Sequence, residues 1–332
     1  MANTLDQSHP YNDLKPETVI DAVESLGILS DARIFPLNSY ENRVYQVGVE
    51  DGSPIIAKFY RPYRWSESSI LEEHQFSWEL FDHELPVVPP IKNEQNQTLH
   101  QYNGFQFSIF KRQGGHAPEL DNLDNLFLIG RHLGRMHAIG AQTSFKYRPT
   151  ITVDEWAVSS REFLLTNDFI PDELTLAYET LTQDLISKVS AIWNRLPDLK
   201  TLRIHGDCHG GNMLWRNDLP HFVDFDDCRN GPAIQDIWLL LSGDRQQKTA
   251  QLSEIVEGYN EFYDFEPSQL VLVEALRTLR IMNYSAWLAK RWSDPAFPHH
   301  FPWFNTERYW AEHALELREQ LAALDEDPLK LF

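Results

Sequence analysis

The segment His205-Gly206-Asp207-Cys208-His209-Gly210-Gly211-Asn212, followed by Phe222-Val223-Asp224-Phe225-Asp226-Asp227, is the densest polar cluster in the chain. A short apolar run, Leu202–Ile204, reads as a strand that delivers His205 and Asp207 into a loop. A second run, His221–Phe225, reads as a strand that delivers Asp224. Two strand ends can therefore gather two carboxylates and one amide around a common point. Oxygen donors of this kind suit Mg²⁺, which shares its shell among one or two carboxylates, water and substrate phosphates. A further carboxylate that is not a ligand can orient and deprotonate an attacking hydroxyl.

The spacing His-x-Asp-x-x-x-x-Asn from His205 to Asn212 resembles the catalytic loop of the kinase superfamily. Phe222-Val223-Asp224-Phe225 resembles the metal-binding Asp-Phe segment that follows that loop. The form His-Gly-Asp-x-His-x-x-Asn is the version found in aminoglycoside phosphotransferase-like and choline kinase-like enzymes. The resemblance implies that Asp207 is the catalytic base, that Asn212 and Asp224 hold Mg²⁺, and that Asp224 is thereby part of the catalytic machinery. It also implies that Asp236, in Gln235-Asp236-Ile237-Trp238, braces the catalytic loop through its backbone. Turn-forming Asp, Asn and Gly would account for either segment alone. Two strand-and-loop units in this order favour phosphoryl transfer.

Upstream, Ile55-Ile56-Ala57-Lys58 matches the strand that carries a phosphate-contacting lysine. The next helix offers Glu72 and Glu73 as its ion-pair partner, and counting back from Leu85-Pro86 favours Glu73. A glycine-rich phosphate loop is missing, and Asn38-Ser39-Tyr40-Glu41-Asn42 stands in its place. Backbone amides in a turn can still meet a phosphate, and Ser39 or Asn42 can donate from the side chain. Ser39 is the candidate ATP contact. Taken with Asn38–Tyr45 and Lys58–Pro62, these segments make the chain resemble the stress response kinase A family from about residue 14 to 310. That family is a bacterial group regarded as Ser/Thr protein kinases on the phosphotransferase fold.

The fold expected is α+β and protein kinase-like, with a nucleotide-binding lobe over residues 1–112 and a helical lobe over 113–332 holding the catalytic and metal-binding loops. A hinge is expected near residues 111–115, with the ligand in the cleft between lobes. In the first lobe a helix spans Pro16–Leu26, strands span Ile34–Leu37, Val44–Val49, Ile55–Phe59 and Phe105–Phe110, and Ser66–His83 is helical. In the second, Leu123–Gly140 is helical with its inward face at 126, 129, 133, 136 and 137–139. Further helices are expected at 154–166, 172–196, 232–241, 250–263, 267–291 and 307–323. Trp292–Trp303 reads as a loop against the helical lobe. The stretch from Asp227 to Asp236 is too short for a long mobile activation segment.

The chain has 332 residues, 42% of them hydrophobic and 23% charged, as in ordinary globular proteins. Its 29 Lys and Arg against 49 Asp and Glu give a net charge of −20, which argues against nucleic acid and anionic membranes as partners. No run of apolar residues has membrane length, and the polar start lacks a secretory pattern. Cys208 and Cys228 cannot make a disulfide framework. A cytoplasmic monomer is expected, using ATP and Mg²⁺ and acting on a protein substrate or on itself.

Other chemistries would leave other marks in the sequence. A small-molecule kinase, acting on an amino alcohol, sugar or aminoglycoside-like acceptor, would use the same motifs, and Asp226 and Asp227 would suit a cationic acceptor and a basic peptide equally well. A metallophosphoesterase would need an upstream Asp-x-His and a downstream Gly-Asn-His, and neither occurs. A pseudokinase would not need an intact Lys58, Asp207, Asn212 and Asp224. A zinc site would need a closer pair of soft ligands than Cys208 and Cys228. Cys208, beside Asp207, is a candidate oxidation sensor by proximity.

Overall fold

The computed structural model describes residues 9–331, so the polar first eight residues lie outside the described residues. Two compact units are present. The first comprises the chain up to Pro118 together with Gly211–Asp226, and the second comprises Glu119–Gly210 and the chain from Asp227 onward.

Helix α1 (Pro16–Glu24) starts with a proline in its first turn, where a missing N–H leaves no bond unmade, and Gly27 follows its end at φ +80°. Strands β1 (Ser30–Pro36), β2 (Arg43–Val49) and β3 (Ile55–Phe59) then pair antiparallel. Helix α2 (Glu67–Asp82) is capped by Ser66, whose hydroxyl accepts the Ser69 N–H. Strands β4 (His100–Tyr102) and β5 (Phe105–Lys111) complete a five-stranded sheet in the order β1-β2-β3-β5-β4. Alternation along β3 assigns its faces: Ile55, Ala57 and Phe59 enter a core with Phe105, Phe107 and Ile109 of β5 and Val19 and Val23 of α1. Lys58 lies on the other face, opposite Ser108 of β5.

Helices α3 (Leu123–Gly140), α4 (Ser159–Thr166) and α5 (Asp172–Trp193) follow, the second entered through a π turn at Asp154–Val158. Strand β6 (Leu202–Ile204) comes next. Strands β7 (Met213–Arg216) and β8 (Leu219–Phe222) form a hairpin of the first unit, and β9 (Arg229–Gly231) pairs with β6 in the second. The remaining helices are α6 (Ile234–Trp238), α7 (Arg245–Tyr259), α8 (Val273–Ala289), α9 (Ala296–His300) and α10 (Glu307–Ala323).

Helices α3 and α7 meet almost backbone to backbone. A Cβ on Gly130 would run into the Ile255 carbonyl, one on Gly134 into that of Tyr259, and one on Gly258 into that of Phe127. This closeness brings His137, one turn beyond Gly134 on α3, to Tyr259 on α7: His137 Nδ1 lies 2.9 Å from the tyrosine hydroxyl. His137 is therefore a buried polar residue on a face that sequence spacing assigned to apolar side chains.

Several boundaries differ from the sequence expectation for identifiable reasons. The expected strand over His221–Phe225 is instead β8, ending at Phe222, because Asp224 adopts φ +59° and turns the chain. Its partner β7 was not anticipated. The link between them is Asn217-Asp218, both at positive φ, which is what a tight two-residue hairpin with the twist of a β-sheet requires. Helix α7 begins at Arg245 rather than residue 250 because Asp244 and Gln247 form a capping box there. The helix expected over 267–291 divides into a 3₁₀ turn, Pro267–Leu272, and α8. Trp292–Trp303 is not a plain loop, since it contains α9 and buries Phe297. No helix among the described residues is long and apolar enough to cross a membrane.

Candidate active site

In the first unit, three carboxylates surround one buried lysine. Lys58 is 6% exposed. Its Nζ lies 3.4 Å from Glu73 Oε1, 3.1 Å from Asp224 Oδ1 and 3.3 Å from Asp226 Oδ1. Glu73 reaches it because Ile70, Glu73, Ser77 and Leu80 share the buried face of α2, a stripe that excludes Glu72. Burial alone would lower the Lys58 pKa. The charges of Asp226, Glu73 and Asp224 outweigh burial and hold the ammonium well above the ordinary lysine range.

Asp226 is buried and also forms an ion pair with Arg64. Arg64 and Arg61 in turn face Glu41 at 3.8 and 3.7 Å. Asp226 therefore does not offer itself to a cationic acceptor, as its place in the sequence had implied, because two cations of the chain already neutralise it. Asp227 is in the second unit, where its Oδ1 accepts from Arg229 at 3.1 Å.

The β7–β8 hairpin brings Asn212 and Asp224 to one end. Met213 pairs with Phe222, and one step further the Val223 N–H donates to the Asn212 carbonyl at 3.0 Å. Asp224 has 54% of its side chain exposed. One amide oxygen and one carboxylate at a shared strand end fit Mg²⁺, which takes few protein oxygens and completes its shell with phosphate and water. Among the described residues, no three His, Cys, Asp or Glu side chains cluster as a metal site.

Between β1 and β2, Ser39 donates its hydroxyl to the Asn42 carbonyl at 3.1 Å. The Asn42 side chain is buried, and its Oδ1 accepts the Arg61 N–H at 3.0 Å. Asn42 thus pins this loop to the end of β3, and Ser39 is the more exposed of the two.

In the second unit, the loop carrying Asp207 is held from beneath. Asp236, fully buried on α6, accepts the His205 N–H at 2.7 Å through Oδ2 and the Gly206 N–H at 2.8 Å through Oδ1. His137 Nε2 lies 3.1 Å from the same Oδ2, and Gln235 donates to the Gly206 carbonyl at 3.1 Å. Gly206 itself has φ +84°, and a side chain there would meet the Asp227 carbonyl.

Asp207 Oδ1 forms an ion pair with Arg280 Nη1 of α8 at 2.8 Å, and its Oδ2 lies 3.4 Å from His209 Nε2. Burial would raise its pKa; the His209 hydrogen bond and the Arg280 charge outweigh burial and hold the carboxyl well below the usual range. Cys208 is fully buried, and burial, reinforced by the charges of Asp236 and Asp207, pushes its thiol well above the ordinary value. A protonated, inaccessible thiol does not suit the oxidation-sensing role that proximity had implied.

Four residues of this arrangement were not singled out from the sequence: Arg64, His137, Tyr259 and Arg280. Only His137 left a signal, as a histidine within an apolar helix face.

The chain matches the model of the phosphotransferase enzyme family over residues 33–270. Stress response kinase A of Escherichia coli strain K12 is 46% identical over 321 residues, covering 97% of each chain. A protein named serine/threonine protein kinase RdoA, from Salmonella typhimurium strain LT2, is 45% identical over 326 residues, covering 98% of each. Amicoumacin kinase hAmiN, solved in complex with AMP-PNP, Ca²⁺ and Ami, is similar in fold with a TM-score of 0.69 at 20% identity, covering 93% of this chain and 94% of that one. The α+β fold is thus protein kinase-like, with a β-rich first unit and a helical second one. On its motifs, its fold and these similarities, the chain belongs to the phosphotransferase enzyme family, in the group of the stress response kinase A proteins.

Proposed function

We propose that this phosphotransferase is an ATP- and Mg²⁺-dependent protein kinase whose acceptors are Ser and Thr hydroxyls, including its own. The observation that carries the acceptor class is 45% identity, over nearly the full length, to a protein named a serine/threonine protein kinase.

Each residue has a role that its surroundings support. Lys58, kept charged by its carboxylate partners, orients the phosphates of ATP, and Glu73 keeps Lys58 in place. Ser39 lies in the loop that stands where a glycine-rich loop would cover those phosphates, and its hydroxyl can donate to one of them on leaving the Asn42 carbonyl. Asn212 and Asp224 would hold Mg²⁺, which when bound neutralises charge developing on the phosphate oxygens. Asp207, a firm carboxylate, accepts a hydrogen bond from the acceptor hydroxyl and aims its oxygen at the phosphorus. Asp236 keeps the Asp207 loop in its conformation without touching substrate.

The experiment is incubation with γ-labelled ATP and Mg²⁺, with Asp207→Asn as control. Acceptors are the protein itself, a mixed protein preparation and a panel of small alcohols. Asp207-dependent label on protein Ser or Thr is expected; label confined to a small alcohol would overturn the protein-acceptor reading.

A further inference from the structure

Helix α8 carries Arg277, Arg280, Tyr284 and Trp287, which recur every three or four residues and so share one face, Arg277 being paired with Glu274; Arg291 follows two residues past the helix end. The opposite face buries Leu279, Met282, Ala286 and Ala289. Arg280, with 38% of its side chain exposed, touches Asp207 through Nη1. One turn on, the Tyr284 ring, 41% exposed, stacks on Trp287 at 5.6 Å and 16°. The Arg291 guanidinium lies 5.2 Å from the Trp287 ring centre. Beyond Arg280, which touches Asp207, the segment thus offers two stacked rings and then a second guanidinium, in a chain whose net charge is −20.

A guanidinium is a planar fork with five donors, so one group can hold Asp207 through Nη1 and present further N–H groups to a second carboxylate. A cationic alcohol brought to Asp207 would meet Arg280 as a like charge, whereas an acidic side chain beside the acceptor hydroxyl would meet a partner.

We infer that the Arg280 face of α8 is an acceptor subsite that selects protein segments bearing an acidic residue next to the Ser or Thr to be phosphorylated. This rests on the protein-acceptor reading above and adds its specificity. Arg280 reads the acidic residue, and the Tyr284–Trp287 stack supports an apolar or aromatic side chain further along the segment. The same geometry disfavours amino alcohols.

The test is steady-state kinetics of the full chain, with ATP and Mg²⁺, on three peptides that share one Ser and differ in flanking Asp/Glu, neutral or Lys/Arg residues. The acidic peptide should exceed the neutral one by about tenfold in kcat/KM, mainly through KM, and the basic peptide should be poorest. Arg280→Glu should reverse this order, and Arg280→Lys should keep it in weaker form. Should Arg280→Glu not fold, the wild-type ranking decides, and its spread should shrink as salt is raised. Equal use of the three peptides, or an acidic preference unchanged in Arg280→Glu, overturns the subsite and leaves the protein-kinase reading standing. Label on a small alcohol with none on any peptide or protein overturns both.

Discussion

Asp236 holds His205 by its backbone, the carboxylate Oδ2 accepting the His205 N–H at 2.7 Å inside a fully buried setting. The same carboxylate takes the Gly206 N–H and faces His137. Asp236→Ala would leave two amides and a histidine without their acceptor, at a cost of about 3 kcal/mol or more. Asp236→Asn, which keeps the volume and one acceptor oxygen, should cost less. The expected order in urea midpoints is wild type above Asp236→Asn above Asp236→Ala, and the folded asparagine variant should show reduced turnover with little change in ATP KM.

Lys58→Met removes the cation on which Glu73, Asp224 and Asp226 converge. Loss of one preorganised donor to the reacting phosphates should lower kcat on the order of 10²–10³-fold. Single-turnover transfer from labelled ATP measures this directly. A near-normal rate would remove Lys58 from the phosphate site.

Asp207 gives a pH prediction of definite sign. Its folded pKa is depressed, so its stabilising contribution is complete above the unfolded value of ~3.9 and is lost as pH falls through that value toward the folded one. Wild type should therefore exceed Asp207→Asn in thermal midpoint at neutral pH, with the gap narrowing only below about pH 4. The same depression predicts that the acid limb of kcat between pH 5 and 7 does not belong to Asp207. A limb in that range that vanished in Asp207→Asn, measured on its residual turnover, would contradict the assignment.

Gly134→Ala would drive a methyl group into the Tyr259 carbonyl, backbone that cannot swing aside. Forcing α3 and α7 apart should cost about 2–3 kcal/mol. Gly104→Ala meets no atom within 4 Å and pays only for its φ of +83°, on the order of 1 kcal/mol. Denaturant titration of the pair should separate them, with Gly134→Ala the less stable; equal midpoints would show that the helix contact yields easily.

Much of the first unit was legible because its signals are local. The strand motif Ile55-Ile56-Ala57-Lys58 and the count back from Leu85-Pro86 single out Lys58 and Glu73, and the folded chain sets the two 3.4 Å apart. The approach of Asn212 to Asp224 was legible only in outline. Apolar spacing runs a strand through Asp224, whereas the chain turns there at φ +59°, and the hairpin upstream rests on Asn217-Asp218, a turn pair without glycine. Arg280 was illegible: it lies 73 residues from Asp207 and belongs to no motif, so only tertiary packing joins them. The pairing of Asp226 is hidden from the sequence for a related reason. Its charge is visible in the sequence, but its neutralisation by Lys58 and Arg64 depends on residues over 160 positions away.

The β7–β8 hairpin belongs to the first unit although the chain reaches it from the second and returns there after Asp226. It is stitched in by the Val87–Phe222 and His116–Trp215 bridges. Neither unit is therefore a continuous length of polypeptide, and no single cut can liberate one intact. A fragment ending at Pro118 would be missing an internal piece of its own fold, along with Asn212 and Asp224. Asn212 and Asp207 are close neighbours along the backbone yet are inherited by different bodies. An exchange of halves between relatives would have to transplant an interlaced insert rather than swap ends.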